Sequence, residues 1–159
     1  VLETMRENTL TFAPHQNSYR RLLPGAHAPT SVAWGYENRT AAIRIPGGSH
    51  KARRIEHRVA GADANPYLVL GSILGGALVG IEGKMEPMEP IVGDAYSQKL
   101  DHLPLDWATA IQAFRRGKHV QTVFSKRLQT MLVECKMQEL KRFSRYVTDF
   151  EYDSYLESV

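Results

Sequence analysis

The stretch that decides the fold runs from residue 40 to residue 59 and reads Thr40-Ala41-Ala42-Ile43-Arg44-Ile45-Pro46-Gly47-Gly48-Ser49-His50-Lys51-Ala52-Arg53-Arg54-Ile55-Glu56-His57-Arg58-Val59. Its first part, residues 40–45, is rich in small and β-branched residues, which is typical of a strand. Ile43 and Ile45 alternate with Arg44, so the arginine is predicted to lie on the face opposite the two isoleucines. Residues 46–49 predict a loop after this strand.

The last part of the same stretch predicts a second strand with charges on one side only. Arg54, Glu56 and Arg58 share one face. The other face carries Ile55, His57 and Val59. If this face of the strand were solvated, the row would form only a surface ion pair, which contributes little to the free energy of unfolding. The clustered arginines and the neighbouring glycine loop, whose backbone can approach a ligand closely, indicate an anion site instead. A carboxylate among arginines stays ionised and could hold a divalent cation beside a polyphosphate.

The remaining pattern predicts an α+β protein with antiparallel strands in the first half of the chain and helices in the second. Leu10–Ala13 is predicted to be a short extended run, and residues 31–34 another strand before a turn at 36–39. Asp63 or Asn65 caps a helix that begins at the following proline.

Two further helices are predicted in the second half. Asp106 caps a short helix that Gly117 ends, and a long final helix follows. Its apolar residues at helical spacing are Phe124, Leu128, Met131, Leu132, Cys135, Leu140 and Phe143. The first of the helices contains Gly71, Gly75, Gly76 and Gly80. Each glycine costs about 1 kcal/mol relative to alanine, so close packing against another element is expected there.

The composition describes one domain with a sizeable core. The chain has 159 residues, of which 43% are hydrophobic and 23% charged, and this excludes intrinsic disorder and a collagen-like repeat. The single cysteine, Cys135, cannot form an internal disulfide, which favours a reducing, cytoplasmic location; its apolar helical setting predicts a buried side chain. The longest apolar stretch, residues 67–81, is too short and too rich in glycine to span a membrane.

The net charge of +3 hides an asymmetry along the chain. Residues 1–60 contain nine Lys and Arg against four Asp and Glu, whereas residues 61–159 contain eleven against thirteen. Eight of the nine cations in the first part are arginines, whose planar guanidinium groups suit carboxylate and phosphate. A small phosphorylated ligand or a nucleic acid would fit such a site. The scarcity of lysine and of interleaved stacking aromatics disfavours the nucleic acid.

Four blocks of sequence resemble, in order and spacing, the C-terminal part of the glutamine synthetase family. The blocks are Asn17-Ser18-Tyr19-Arg20-Arg21-Leu22-Leu23-Pro24-Gly25, Asn38-Arg39-Thr40-Ala41-Ala42-Ile43-Arg44-Ile45-Pro46, Lys51-Ala52-Arg53-Arg54-Ile55-Glu56-His57-Arg58 and Asp63-Ala64-Asn65-Pro66-Tyr67-Leu68. The resemblance weakens after residue 84 and covers only the last third or so of a typical member. It divides this single domain portion into a motif-bearing catalytic core (1–84), a connecting segment (85–106) and C-terminal helices with a tail (107–159).

The resemblance implies an ATP-dependent carboxylate–amine ligase that joins glutamate, through a γ-glutamyl phosphate, to ammonia or a small amine. Mg²⁺ or Mn²⁺ would be the metal cofactor, and ATP a co-substrate. The side-chain carboxylate of glutamate attacks the γ-phosphorus of ATP, and the amine then displaces phosphate. For such a reaction the protein supplies mainly positioning and charge neutralisation.

The same resemblance implies roles for individual residues. Arg21 would hold the carboxylate of the glutamate substrate, and Glu56 would be a ligand of the metal. Arg58 would stabilise the transferring phosphoryl group. The arginines that contact phosphates would be Arg39, Arg44 and Arg54. The residues with catalytic roles would be Arg39, Arg58 and His27.

Two departures from the family pattern concern the nitrogen substrate and regulation. Members that use ammonia usually have a glutamate three residues after the proline of the Arg-Leu-x-Pro-Gly block, where this chain has His27. Ala26 stands where a bulkier aromatic often sits and would leave more room, so an organic amine is favoured. Asp101 stands where bacterial members regulated by adenylylation have a tyrosine, so that control is expected to be absent.

The family's small N-terminal domain, its other metal-binding glutamates and its nucleotide-contacting segment would lie upstream of Val1. The chain alone is therefore expected to be inactive. The complete enzyme is expected to be a cytoplasmic homo-oligomer that binds neither nucleic acid nor membrane. Two alternatives remain: a non-catalytic structural or assembly fragment of the same family and, less favoured, an arginine-rich nucleic-acid-binding module.

Overall fold

The computed structural model describes residues 1–158, which form an α+β fold of six helices and one small three-stranded sheet. The elements in chain order are α1 (Leu2–Phe12), β1 (Trp34–Tyr36), β2 (Ile43–Ile45), β3 (Glu56–His57), α2 (Pro66–Glu82), α3 (Trp107–Arg116), α4 (Val120–Val123), α5 (Lys126–Phe143) and α6 (Asp149–Tyr155). Short 3-10 turns occur at Gln16–Arg20, His50–Ala52 and Ala95–Ser97. The predicted α+β class is confirmed.

The sheet has the strand order β1-β2-β3, and one of its two pairings is antiparallel. β2 and β3 run antiparallel, with Ile43 opposite His57 and Arg44 opposite Glu56. β1 and β2 run parallel, with Trp34 opposite Ile43. The prediction of antiparallel strands is therefore correct for β2 and β3 and wrong for β1 and β2.

The loop between β1 and β2 explains the parallel pairing. Residues 37–42 carry the chain back to the start of β1 instead of reversing it in a hairpin. Asn38 fixes this path, because its Oδ1 accepts hydrogen bonds from the backbone N–H of Thr40 at 2.9 Å and from the Thr40 hydroxyl at 2.7 Å. Ala41 and Ala42 are fully buried, so the returning chain passes through the core.

The extended run predicted at Leu10–Ala13 is wrong, because residues 10–12 form the last turn of α1. The side chain of Asn8 donates to the carbonyl of Thr4 at 3.1 Å, one turn earlier. All five residues of α1 from Asn8 to Phe12 are buried, and the helix packs against α2 and α3. The threonines and phenylalanine of this stretch favour a strand by propensity, but burial against two helices outweighs that preference.

Helix α2 begins as predicted, and the structure decides between its two predicted caps. The side chain of Asn65 accepts hydrogen bonds from the backbone N–H groups of Tyr67 at 3.0 Å and Leu68 at 3.3 Å. Asp63 instead accepts a 2.6 Å hydrogen bond from the hydroxyl of Ser18. Asn65 is therefore the N-cap, with the proline in the first turn.

Three of the four glycines of α2 lie at close contacts, as expected. A Cβ on Gly75 would lie 2.2 Å from a methyl carbon of Val123, and one on Gly76 would lie 2.3 Å from the hydroxyl oxygen of Thr4. Gly71 lies against the ring of Phe124 in the same way. Gly80 has open space around it, and packing does not explain that glycine.

The helices of the second half enclose the larger part of the core. Asp106 caps α3 by accepting a 2.7 Å hydrogen bond from the N–H of Thr109, and Gly117 follows the helix as predicted. The buried residues of this core include Leu10, Trp107, Ile111, Phe114, Phe124 and Val133. Cys135 was predicted to be buried but is exposed, because the apolar stripe of α5 is wider than the face that packs on α3. Among the described residues, no helix has both the length and the apolar character needed to cross a membrane.

Candidate active site

Arg44 and Glu56 form the centre of the candidate site, because the register of β2 and β3 places them side by side. Ile43 is buried on the opposite face, as the alternation predicted. Arg44 Nη1 donates a hydrogen bond to Glu56 Oε2 at 2.8 Å. The side chain of Arg44 is only 15% exposed, so its guanidinium is fixed in position.

Glu37 is a further member of this cluster that the sequence did not identify. It follows β1 with a left-handed φ of 51°. Its carboxylate accepts hydrogen bonds from Arg44 Nη2 and from the backbone N–H of Gly47, which ties the glycine loop to the cluster. The hydrogen bond from Arg44, followed by that from Gly47, lowers the pKa of the Glu37 carboxyl. The one feature of the sequence that could have identified Glu37 is its position close to several arginines.

Arg58 extends the cluster toward the loop that carries His27. Its Nη1 lies 3.8 Å from Glu56 Oε1, and its Nη2 donates to the backbone carbonyl of His27 at 3.3 Å. The Nε atoms of Arg44 and Arg58 are buried and have no hydrogen-bond partner within residues 1–158. A buried donor without a partner is costly, so these two N–H groups are unusual features of the cluster.

His27 lies on an exposed loop of residues 23–27 with two left-handed positions. Gly25 has a φ of 81° and His27 a φ of 60°. The backbone carbonyl of His27 is bonded to Arg58, whereas its imidazole makes no hydrogen bond to any described residue. The imidazole is therefore available to a ligand at the edge of the cluster.

Arg21 reaches the segment that follows β3. Its Nη2 donates to the backbone carbonyl of Val59, the residue after Arg58. Burial lowers the pKa of the Arg21 guanidinium, and the nearby carboxylate of Asp63 opposes that shift. A Cβ on Gly61 would lie only 3.2 Å from Arg21 Nη2, so the backbone there approaches the guanidinium closely. Arg21 thus adjoins the cluster through Val59.

Arg39 and Arg54 do not contact the cluster. Arg54 is exposed, lies before β3, and donates to the carbonyl of Ala52 at 3.1 Å. The strand predicted over residues 54–59 is therefore reduced to β3, so that Arg54 lies before it and Arg58 directly after it, and only Glu56 and Arg58 of the predicted row belong to the cluster. Arg39 is exposed near Glu37, and its side chain forms no ion pair or hydrogen bond within the part of the chain that the structure describes.

Glu56 supplies a carboxylate suited to a hard divalent cation such as Mg²⁺ or Mn²⁺. Its two oxygens face Arg44 and Arg58. Across residues 1–158, no three acidic, histidine or cysteine side chains lie close enough to hold a metal ion together. The residues present fit one ligand of a metal site, and its other ligands would come from elsewhere in a complete enzyme.

His57 lies behind the cluster, on the core face of β3. Its ring centroid is 4.4 Å from that of Phe12, and neither ring nitrogen has a hydrogen-bond partner among the described residues. Burial, with a smaller effect from the positive amino terminus, lowers the pKa of His57 from 6.5 to about 4. The imidazole is therefore neutral at neutral pH.

We expect the free energy of unfolding to fall by about 3 kcal/mol as the pH decreases from 6.5 to about 4, because only the unfolded chain protonates His57 in that range. This contribution is fully present above pH 6.5 and is lost as the pH falls through the folded pKa. Urea unfolding of the wild type and of His57→Leu, near neutral pH and near pH 4, measures it. Equal losses of stability in both proteins would show that His57 is not the titrating group.

The chain is similar to known proteins over nearly its whole length. The family model described as glutamine synthetase, catalytic domain, matches residues 1–155. Gamma-glutamylputrescine synthetase PuuA of Escherichia coli (strain K12) is 36% identical over 158 residues, which are 99% of this chain and 34% of that protein. Gamma-glutamylethanolamide synthetase GlnA4 of Streptomyces coelicolor is 37% identical over 150 residues, which are 94% of this chain and 32% of that protein.

A solved structure agrees with the fold. Apo GmaS without ligand superposes with a TM-score of 0.84 at 27% sequence identity, covering 98% of this chain and 36% of that one. The chain spans about a third of the length of the curated relatives that it matches. With the catalytic-domain model matching nearly every residue, the chain belongs to the glutamine synthetase family.

Proposed function

We propose that the chain is the C-terminal catalytic portion of an ATP-dependent ligase that joins glutamate, through a γ-glutamyl phosphate, to an amine. The observation that carries this proposal is the pair of arginines, Arg44 and Arg58, around Glu56. Both guanidinium groups are held in place, that of Arg44 by Glu37 and Glu56 and that of Arg58 by Glu56 and the carbonyl of His27. Donors fixed before the ligand arrives are suited to stabilising charge that develops on transferring phosphoryl oxygens.

Different residues of this chain would bind different parts of the substrates. Arg44 and Arg58 would bind phosphoryl oxygens, and Arg39 and Arg54 the phosphates of ATP. Arg21 would hold the glutamate carboxylate. Glu56 would contribute one ligand to Mg²⁺ or Mn²⁺, which when bound would neutralise phosphate charge. The protein would thereby act by positioning and charge neutralisation more than by covalent chemistry.

An organic amine is the nitrogen substrate that we propose. The relatives named above make γ-glutamylputrescine and γ-glutamylethanolamide, and a glutamate–isopropylamine ligase of Pseudomonas sp. is 33% identical over 97% of this chain. In this chain, His27 and Ala26 lie on the exposed loop beside Arg58. A neutral imidazole there could accept the proton of an attacking amine. We further propose that the complete enzyme is a cytoplasmic homo-oligomer.

We expect the 159-residue chain alone to release no phosphate from ATP in the presence of glutamate and amine. The described residues supply two carboxylates at the cluster, Glu37 and Glu56, and no complete metal site. A phosphate-release assay on the purified chain checks this. Amine-stimulated turnover above the background without protein would contradict it.

The proposal itself is tested with the complete enzyme. We expect phosphate release that requires glutamate, ATP, a divalent metal and an amine together, and that Glu56→Gln abolishes. Glu134→Gln is a matched control, because Glu134 forms an exposed pair with Arg115 far along the chain and should leave turnover unchanged. Absence of any ligase activity in the complete protein would favour the structural, non-catalytic alternative.

A further inference from the structure

The connecting segment, residues 85–106, is fastened to the loop that carries Arg39. The side chain of Asn38 donates to the carbonyl of Gly93 at 2.8 Å. The N–H of Ala95 donates to the hydroxyl oxygen of Thr40 at 2.9 Å, and that hydroxyl donates in turn to Asn38. Ala95 itself is buried. The 3-10 turn Ala95–Ser97 therefore has a fixed position relative to residues 38–40.

Tyr96, in this turn, reaches across to the loop that carries His27. Its hydroxyl donates a hydrogen bond to the backbone carbonyl of Ala28 at 2.7 Å. The carboxylate of Asp94 caps the turn by accepting a hydrogen bond from the backbone N–H of Tyr96 at 2.9 Å, which restrains the backbone there. Burial raises the pKa of the Tyr96 hydroxyl, so it remains a proton donor throughout the ordinary pH range.

The carbonyl next to the one that Tyr96 holds is bonded to Arg58. Arg58 Nη2 donates to the carbonyl of His27 at 3.3 Å, so two donors from different parts of the chain hold consecutive carbonyls. The exposed residues 23–27 join the buried Leu22 to the buried Ala28 and have one internal hydrogen bond, from the N–H of Ala26 to the carbonyl of Leu23. Together with the packing of Ala28 in the core, the two donors therefore restrain where His27 lies.

We propose that Tyr96 is a positioning residue which, together with Arg58, holds the His27 loop over the phosphoryl end of the site. This proposal rests on the function proposed above. A loop held in this way presents the imidazole to the incoming amine and shields the acyl phosphate from water. Because Arg58 also faces Glu56, the position of the loop is coupled to the cluster that binds the phosphoryl group.

Loss of the Tyr96 hydroxyl should then have two kinetic effects. In Tyr96→Phe we expect the KM for the amine to rise about fivefold or more, the factor set by one partly buried hydrogen bond, while kcat at saturating amine changes little. We also expect more phosphate than amide product. In that side reaction water attacks the γ-carbonyl carbon of the acyl phosphate, the bond from that carbon to the phosphate oxygen breaks, and glutamate, phosphate and a proton are released.

The experiment compares wild type, Tyr96→Phe and Tyr146→Phe as complete enzymes. Tyr146 is exposed and its hydroxyl bonds to no described residue, so its variant controls for loss of a hydroxyl. Amide hydrogen exchange is measured over residues 22–28 alongside the kinetics. We expect Tyr96→Phe alone to increase exchange in that segment, with exchange in α3 and α5 unchanged.

The outcomes separate the two proposals. Unchanged exchange in residues 22–28 and an unchanged KM for the amine in Tyr96→Phe would overturn the positioning role. Faster exchange across the whole protein, with kcat reduced and KM unaltered, would also overturn it, because the hydroxyl would then support only the general fold. If the wild type had no ligase activity, the proposed function would fail, whereas exchange would still decide whether Tyr96 holds the loop.

Discussion

Replacement of Arg39 by alanine in the complete enzyme is expected to lower kcat/KM by about a hundredfold or more. In the structure the Arg39 guanidinium is exposed, and it has no ion pair or hydrogen bond within residues 1–158. The substitution would therefore remove little that stabilises the fold. The expected loss comes from a charge-assisted contact made as phosphoryl charge develops, and contacts of this kind are typically worth two to three orders of magnitude, i.e. about 10²–10³ in rate.

The variant Arg39→Lys tests whether Arg39 makes a bidentate contact or contributes only its charge. A lysine ammonium is a point charge and cannot reproduce two parallel hydrogen bonds to phosphate, so this variant should also be strongly impaired. Arg116→Lys, at the exposed end of α3, is the matched control and should leave the steady-state kinetics unchanged. Near-wild-type kcat/KM for Arg39→Lys would show that the assignment of Arg39 to a phosphate is wrong.

Arg44→Ala should lower kcat/KM by at least the same factor, about a hundredfold, and for two separate reasons. It removes a phosphoryl contact, and it leaves the carboxylates of Glu37 and Glu56 without the guanidinium that joins them. Thermal unfolding measured beside the kinetics distinguishes the two. A variant that unfolds at the wild-type temperature and still loses activity supports the catalytic role.

The second large effect concerns the choice between an amine and ammonium. We expect kcat/KM for ammonium to be lower than that for the best monoamine or polyamine by about tenfold or more, a factor that corresponds to about 1.4 kcal/mol. Ammonium must be attracted and deprotonated before it attacks, and a carboxylate on the loop would do both. The imidazole of His27 keeps the second role but does not attract a cation.

A larger amine depends less on that missing charge. It gains binding energy from contacts along its own carbon chain, which ammonia lacks. Competition between ammonium and a panel of amines, on wild type and His27→Glu, measures the preference, and the glutamate variant should use ammonium better. If ammonium gave the highest kcat/KM in the wild type and His27→Glu brought no improvement, ordinary glutamine synthesis would replace the amine-ligase proposal.

The centre of the candidate site could be predicted from the sequence because strand alternation fixes faces. Ile43 and Arg44 had to lie on opposite faces of β2, and Glu56 had to face away from His57 in β3. The antiparallel register then brings Arg44 and Glu56 together, and it is the one feature that alternation alone does not specify. The cap of α2 and the stop of α3 likewise follow from local chemistry at Asn65 and Gly117.

The features that could not be predicted depend on contacts between distant segments. The role of Glu37 requires the left-handed backbone after β1 and the return of the chain through the buried alanines. α1 was missed because its β-branched residues favour a strand in isolation, whereas its burial against α2 and α3 exists only in the folded protein. The bond from Tyr96 to Ala28 joins residues 68 positions apart and has no local signal.

The most direct test of the central claim follows the oxygen of glutamate. In a ligase that proceeds through a γ-glutamyl phosphate, one side-chain oxygen of glutamate bonds to phosphorus and leaves with the phosphate when the amine attacks. The complete enzyme is incubated with ATP, amine and glutamate labelled with ¹⁸O in the γ-carboxylate, and the phosphate is analysed by mass spectrometry. We predict one ¹⁸O atom in each phosphate released. Phosphate without ¹⁸O, in a reaction that still forms the amide, would contradict the acyl-phosphate mechanism proposed for this site.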